Sequence, residues 1–331
     1  MVRRMFTLRF DMRAPAGSAA TTDLYGAAVD MCEWAEDRGA VIAVLSEHHA
    51  TDDGHLSAPH LLAAAIAART KHLAILLAAV PITFWDPVRL AEEISVLDII
   101  AEGRVSYAFG IGHRVEEYIH FGVDHRRRGK LADESLALLR ELLQGEPVDH
   151  DGRRIHVTPP PVTPAGPHML IAGGSKAAAR RAARYGLGFI SQVASPELKV
   201  VYEAECRANG VEPGMVQFPV EGAPTTVFFV ADDVDAAWQE LGSYLLHDAV
   251  TAASYRHGDD SVASISRAST VSELRDASGP YRIFTTDEAA DWIRGGRPLP
   301  LLPLCGGLPP AIAWPYLERA ATASQRAQET Q

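Results

Sequence analysis

Cysteine is scarce: Cys32, Cys206 and Cys305 stand far apart in a chain of 331 residues. An odd number of isolated thiols gives no disulfide framework and no zinc-ligand spacing. Positive charge is also short, with 31 Lys and Arg against 42 Asp and Glu and a formal net charge of −11. That balance argues against nucleic acid or an anionic membrane as the main partner, since both require a basic face. No apolar run is long enough to span a bilayer. The basic start, Met1 to Phe6, meets Arg9, Asp11 and Arg13 before a signal-peptide core can form. The expectation is a soluble, cytoplasmic protein with reduced thiols; a homo-oligomer stays open.

What the chain has instead is alternation. Short apolar runs recur at Phe6 to Phe10, Val41 to Leu45, Leu73 to Val80, Val105 to Ile111, His168 to Ala172, Leu187 to Ser191, Thr225 to Val230 and Leu301 to Leu304. Stretches of helical spacing separate them, among them Leu24 to Arg38, Val88 to Ile100, Arg128 to Leu143, Lys176 to Tyr185 and Asp232 to Leu246. Strands apolar on both faces, joined through helices by short connections, predict a (β/α)8 TIM barrel spanning residues 1–331 as one domain. Pro147 to Pro161 reads as a hairpin turning at Asp151-Gly152. Ala249 to Pro300 breaks the pattern between strands seven and eight. Its middle, Arg256 to Ser278, is polar, and Thr285-Thr286-Asp287-Glu288 caps a helix near its end. This insertion reads either as an active-site lid or as a passive linker.

The second apolar run ends in Ser46-Glu47-His48-His49. A carboxylate and two imidazoles can accept, donate or relay protons near neutral pH. Strand alternation turns His48 and His49 to opposite faces. By residue type alone this is a catalytic group, a surface His pair or a metal site, and no second ligand pair supports the metal. Gly110-Ile111-Gly112 permits close backbone approach but continues into no dinucleotide fingerprint. Ala172-Gly173-Gly174-Ser175 follows a strand and opens a helix. Free backbone N–H groups, a helix dipole and a hydroxyl suit a phosphate there, although a plain helix cap would look the same.

Taken in order, several stretches resemble the bacterial luciferase-like flavin-dependent oxidoreductases. They are Glu47-His48-His49; Thr70; Asp86 to Glu92; Leu97-Asp98 leading to Gly103-Arg104; Glu117-Tyr118; Phe121-Gly122-Val123; Ala172 to Ser175; and Leu304 to Pro310. The resemblance implies a (β/α)8 barrel holding a flavin, or its deazaflavin analogue, across the strand C-termini. It implies a flavin phosphate at Ala172, Gly173, Gly174 and Ser175, with an arginine from Arg126, Arg127 and Arg128, of which Arg128 is favoured. It further implies a bulge with a non-proline cis peptide at Ala78-Ala79, behind the isoalloxazine. Gly110 and Gly112 would let the backbone approach, and Ser191 and Gln192 would meet the pyrimidine edge. His48 matches the family's functional histidine, with Glu47 orienting it or binding nearby polar groups and His49 as a packed neighbour. Core alanines, a solvated arginine turn and satisfied loop groups would give the same residues. Ile111 stands where bacterial luciferase carries an arginine, a departure from its phosphate site.

The implied activity is oxidation of a small organic substrate by dioxygen, using reduced FMN supplied by a separate flavin reductase. The alternative cofactor is deazaflavin coenzyme F-420, which supports hydride transfer. Lys176, Arg180 and Arg184 recur every four residues beside the phosphate motif. Such a stripe would attract that coenzyme's acidic tail, or is a solvated helix face. A flavin-binding protein without turnover is the third reading, and the retained His48 argues against it.

Overall fold

The computed structural model describes residues 5–219, 226–256, 262, 264–277 and 279–329. The chain opens with β1 (Phe6–Phe10), α1 (Thr21–Glu36), β2 (Ala40–Leu45), α2 (Pro59–Arg69), β3 (Ala74–Pro81), α3 (Pro87–Ile100) and β4 (Val105–Gly110). Then come α4 (Val115–Phe121), α5 (Arg128–Leu142), a hairpin of β5 (Val148–His150) and β6 (Arg153–Ile155), β7 (His168–Ala172), α6 (Lys176–Arg184) and β8 (Gly188–Ile190). The last part holds α7 (Pro196–Ala208), β9 (Val216–Gln217), β10 (Val227–Val230), α8 (Val234–Ser254), α9 (Val271–Asp276), β11 (Tyr281–Phe284), α10 (Thr286–Arg294), β12 (Leu299–Leu301) and α11 (Pro310–Glu329).

Apart from the hairpin, the strands form one sheet in the order β11-β10-β12-β1-β2-β3-β4-β7-β8-β9. Neighbours in it are parallel, from β12 on β1 through β8 on β9. Among the described residues no ladder joins β9 to β11. Parallel strands connected through helices bring their C-terminal ends to one side, which is the property the site depends on. No helix among the described residues is long and apolar enough to cross a membrane.

Several matched motif residues serve the scaffold. Asp86 caps α3 by accepting from the Val88 and Arg89 N–H groups at 2.9 and 3.0 Å, with Pro87 in the first turn. Arg104 donates to the Ala67 and Thr70 carbonyls at the end of α2, both at 3.0 Å, so a cation meets the negative helix terminus. Buried Asp98 accepts from the backbone and hydroxyl of Thr163 at 2.7 and 2.9 Å.

The late chain departs from the sequence reading. Helices α4 and α7 and strand β9 were not anticipated. Residues 249–254 continue α8, and Tyr281–Phe284 pairs with β10 as a sheet strand, so parts of the expected insertion belong to the barrel body. The expected strand Leu301 to Leu304 is instead Leu299–Leu301. Pro303 has no N–H to extend a ladder, and Cys305–Gly307 turns as a 3-10 segment. Thr225, at the start of the seventh expected strand, lies outside the described residues, as do 257–261, 263 and 278 of the expected lid.

In that turn Gly306 has φ +61°, and a Cβ there would lie 2.4 Å from the Tyr244 carbonyl oxygen. Gly152, in the hairpin, has φ +70° with open space around it. Gly152→Ala should therefore cost only the left-handed penalty of about 1–2 kcal/mol. Gly306→Ala should cost that and a further ~1–3 kcal/mol of overpacking. Denaturant titration of both variants checks the order; equal losses would contradict the close approach.

Candidate active site

The strand C-termini surround a cavity of about 830 Å³, a size that suits a small-molecule site. Glu47, His48, Ala78, Ala79, Gly110, Gly112, Arg128, Ala172, Gly173, Gly174, Ser175 and Gln192 all line it. Ser191 does not: its hydroxyl bonds the Val193 carbonyl and N–H at 2.8 and 3.1 Å, shaping the loop that carries Gln192. The Ala78–Ala79 peptide is cis, and the β3–β4 register shifts between Ala78 and Val80. Ser175 caps α6 by accepting from the Ala178 N–H at 3.2 Å. Arg128 faces His125, 3.2 Å from its carbonyl, while Arg126 lines the same end with an exposed side chain.

The opposite end is built around His48. Its Nδ1 lies 2.8 Å from Glu117 Oε1. The same oxygen accepts the His49 backbone N–H at 3.0 Å and lies 3.5 Å from Arg114 Nη1. Burial opposes the charge of Glu117, but His48, the His49 N–H and Arg114 outweigh it and lower its pKa. An ionised carboxylate only accepts, so Nδ1 of His48 carries the proton and Nε2 is the lone-pair nitrogen. Burial holds the His48 pKa below its ordinary value, against the pull of Glu117. The pair is therefore a neutral imidazole oriented by a carboxylate, the arrangement of a general base.

Glu47 does not orient His48. Its Oε1 lies 2.9 Å from His49 Nε2 and accepts the Trp85 indole N–H at 3.1 Å. Neighbouring residues of an extended segment point apart, so Glu47 and His48 look to different partners. His49 is buried and packs edge-on against Phe121, with ring centroids 4.7 Å apart.

Sequence reasoning missed a buried ionic group beside this pair. Arg13, just past β1, reaches Asp53 at 2.8 Å and Asp11 and Asp248 at 3.3 Å. It also donates to the Tyr255 hydroxyl at 3.2 Å. Tyr255 lies 5.4 Å from the His48 ring, with the Arg114 guanidinium 4.1 Å over its face. Burial and then Asp248 push the Asp11 carboxyl up to about 6. The only signal in the sequence was Asp11 and Arg13 at a strand end. Asp53 and Asp248 come from distant loops and helices.

A family model for luciferase-like monooxygenases matches residues 5–293. This chain belongs to that family. The oxygenase component of flavin-dependent trigonelline monooxygenase from Acinetobacter baylyi is 30% identical over 150 residues, covering 44% of this chain and 41% of that protein. The chain spans less than half the length of several curated relatives it matches. Among solved structures, the oxygenating constituent of 3,6-diketocamphane monooxygenase from Pseudomonas putida, in complex with FMN, has a TM-score of 0.69 at 17% identity, covering 97% of this chain and 98% of that one. An F420-dependent secondary alcohol dehydrogenase shares the fold with a TM-score of 0.54 at 20% identity, covering 73% and 75%. At these identities the likeness of the two structures is one of fold alone.

The luciferase-like site makes a pH prediction. Because His48 is lowered from 6.5, its proton-accepting form persists at pH values where an ordinary imidazole is already charged. The acid limb of kcat/KM should lie below pH 6.5. Glu117→Gln removes the influence that raises His48, so the limb should move further down while turnover falls about a hundredfold or more. A limb at or above the ordinary histidine value, or one unmoved in the variant, contradicts the assignment.

Proposed function

We propose that this chain is the oxygenase component of a two-component, flavin-dependent monooxygenase. It takes reduced FMN from a separate reductase and uses dioxygen to oxidise a small organic substrate. The observation that carries the reading is one cavity running from the α6 N-terminus, past Ala78–Ala79, to the His48–Glu117 pair. Ser175 and the first-turn amides of α6 would hold the phosphate, with Arg126 and Arg128 supplying charge. Small residues at Ala78, Ala79 and Gly110 leave room for a flat ring against backbone; a Cβ at Gly110 would already lie 3.3 Å from that of Ala79. Gln192, on the loop after β8, lines the same cavity and would meet a ring edge. Bound there, reduced FMN supplies two electrons and activates dioxygen; one oxygen atom enters the substrate and the other leaves as water.

His48 would accept or return a proton through Nε2 while Glu117 holds its tautomer. Val262, Ser264 and Ile265, from the 249–300 stretch, line the cavity and would shield it from water. The deazaflavin reading has less support from the α6 surface. Lys176 and Arg180 face Glu197 and Glu205 of α7 at 3.4 and 3.8 Å, so their charge is already offset. A flavin-binding protein without turnover would have no use for an oriented neutral imidazole.

Anaerobic titration followed by exposure to air tests the reading. Reduced FMN should bind, and bound flavin should reoxidise with oxygen uptake that changes when substrate is present. Tight F-420 binding with substrate-dependent hydride transfer, and no oxygen uptake, would favour the deazaflavin alternative. Ser175→Ala should weaken FMN binding by about 1–2 kcal/mol, the range for a hydrogen bond to a charged group. Unchanged affinity would leave Ser175 as a helix cap only.

A further inference from the structure

A second set of polar groups lies behind the cavity wall, where α2 and α3 pack on the outer face of β3 and β4. His60 of α2 is 6% exposed, and neither ring nitrogen has a protein hydrogen-bond partner. The Tyr107 hydroxyl of β4 and the Ser95 hydroxyl of α3 are also buried without one, as is Oε2 of Glu47 at the cavity edge. Contacts link His60 to Tyr107 and, through Trp85, to Glu47. The His60 ring lies 5.7 Å from Tyr107 and 4.9 Å from Trp85, and the Trp85 indole N–H reaches Glu47. On the outer side, His60 Nδ1 is 3.9 Å from a carboxylate oxygen of Glu93, whose side chain is 26% exposed.

Buried polar atoms in native proteins are met by partners, and where protein supplies none, internal water does so if several such atoms face one space. Ring-to-ring packing against Trp85 and Tyr107 satisfies neither nitrogen of His60. We propose that ordered water occupies this layer and that His60, with Tyr107, relays protons between Glu93 at the surface and Glu47 at the cavity. Its functional half rests on the monooxygenase reading. In that reaction the departing water carries two hydrogens, and reduced FMN bound as its anion would bring only one, so one proton must reach the cavity from the protein or from solvent. Burial holds the His60 pKa at about 4. The ring is therefore neutral and passes a proton by accepting at one nitrogen and releasing from the other. His60 and Tyr107 are positioning residues in this scheme; neither touches substrate.

Two measurements decide it. A crystal structure of the chain, at a resolution that reveals buried water elsewhere in it, should show at least one ordered water bonded to His60 or Tyr107. A dry layer overturns the proposal, whatever the reaction. Tyr107→Phe removes one oxygen and keeps the shape, and His60→Leu removes both nitrogens. With reduced FMN and dioxygen, His60→Leu should lower turnover about tenfold, less than loss of a group acting on substrate directly. It should also raise the solvent deuterium isotope effect, with added imidazole restoring part of the rate. Tyr107→Phe should shift both readouts in the same direction, and FMN affinity should stay at the wild-type value. Unchanged turnover and isotope effect in both variants overturn the relay even where water is present. Absence of any flavin-dependent turnover in the wild-type chain would sink the monooxygenase reading and the relay with it, while the water site is still judged by the density.

Discussion

A carboxylate removed from water must be met by donors, and Glu117, 1% exposed, is that carboxylate here. Its donors come from the segment after β2 and from the start of α4, so satisfying one charge fixes three things together. The His48 tautomer, the backbone at His49 and the position of Arg114 all follow from it. Arg114 in turn donates to the His49 carbonyl at 2.7 Å and covers the face of Tyr255. Through Tyr255 and Arg13 the network continues to the end of β1 and to α8. Removing one member of such a network leaves the others buried and unpaired, which costs more than the lost bond itself.

The two ends of the cavity do different electrostatic work. Around α6 the helix terminus and the Arg126–Arg128 turn favour an anion. Around His48 the imidazole is neutral, and the Arg13 cluster, where three aspartates surround one guanidinium, is acidic. A neutral, oriented base beside such a cluster is suited to moving a proton without placing a free charge next to the reacting atoms. The barrel makes the division possible, since parallel strands deliver residues far apart in sequence to one rim.

The strands up to β8, and the helices on either side of the phosphate motif, were legible because periodicity and glycine stops are local signals. The cavity-lining residues around Ser175 were legible for the same reason: each sits directly after an apolar run. Glu117 was visible only as part of a family motif, because its bond to His48 spans 69 residues of sequence. Asp53 and Asp248 carried no local signal, for their meaning lies in a shared partner brought together by folding. Strand β11 was hidden inside a polar stretch, where four residues with a buried alternate face were too few to stand out. Thr70, Asp98 and Arg104 matched the family motif but hold helix ends and loops, so motif membership alone did not separate scaffold from site.

The central claim is that one cavity holds a flavin by its phosphate at α6 with the ring beside His48. A crystal structure of the chain with FMN tests this most directly. The account predicts the phosphate within hydrogen-bond distance of the Ser175 hydroxyl and the first amides of α6, and the ring lying against Ala78–Ala79 with His48 on its open side. FMN bound elsewhere, or with its phosphate away from α6 and its ring remote from His48, would contradict it.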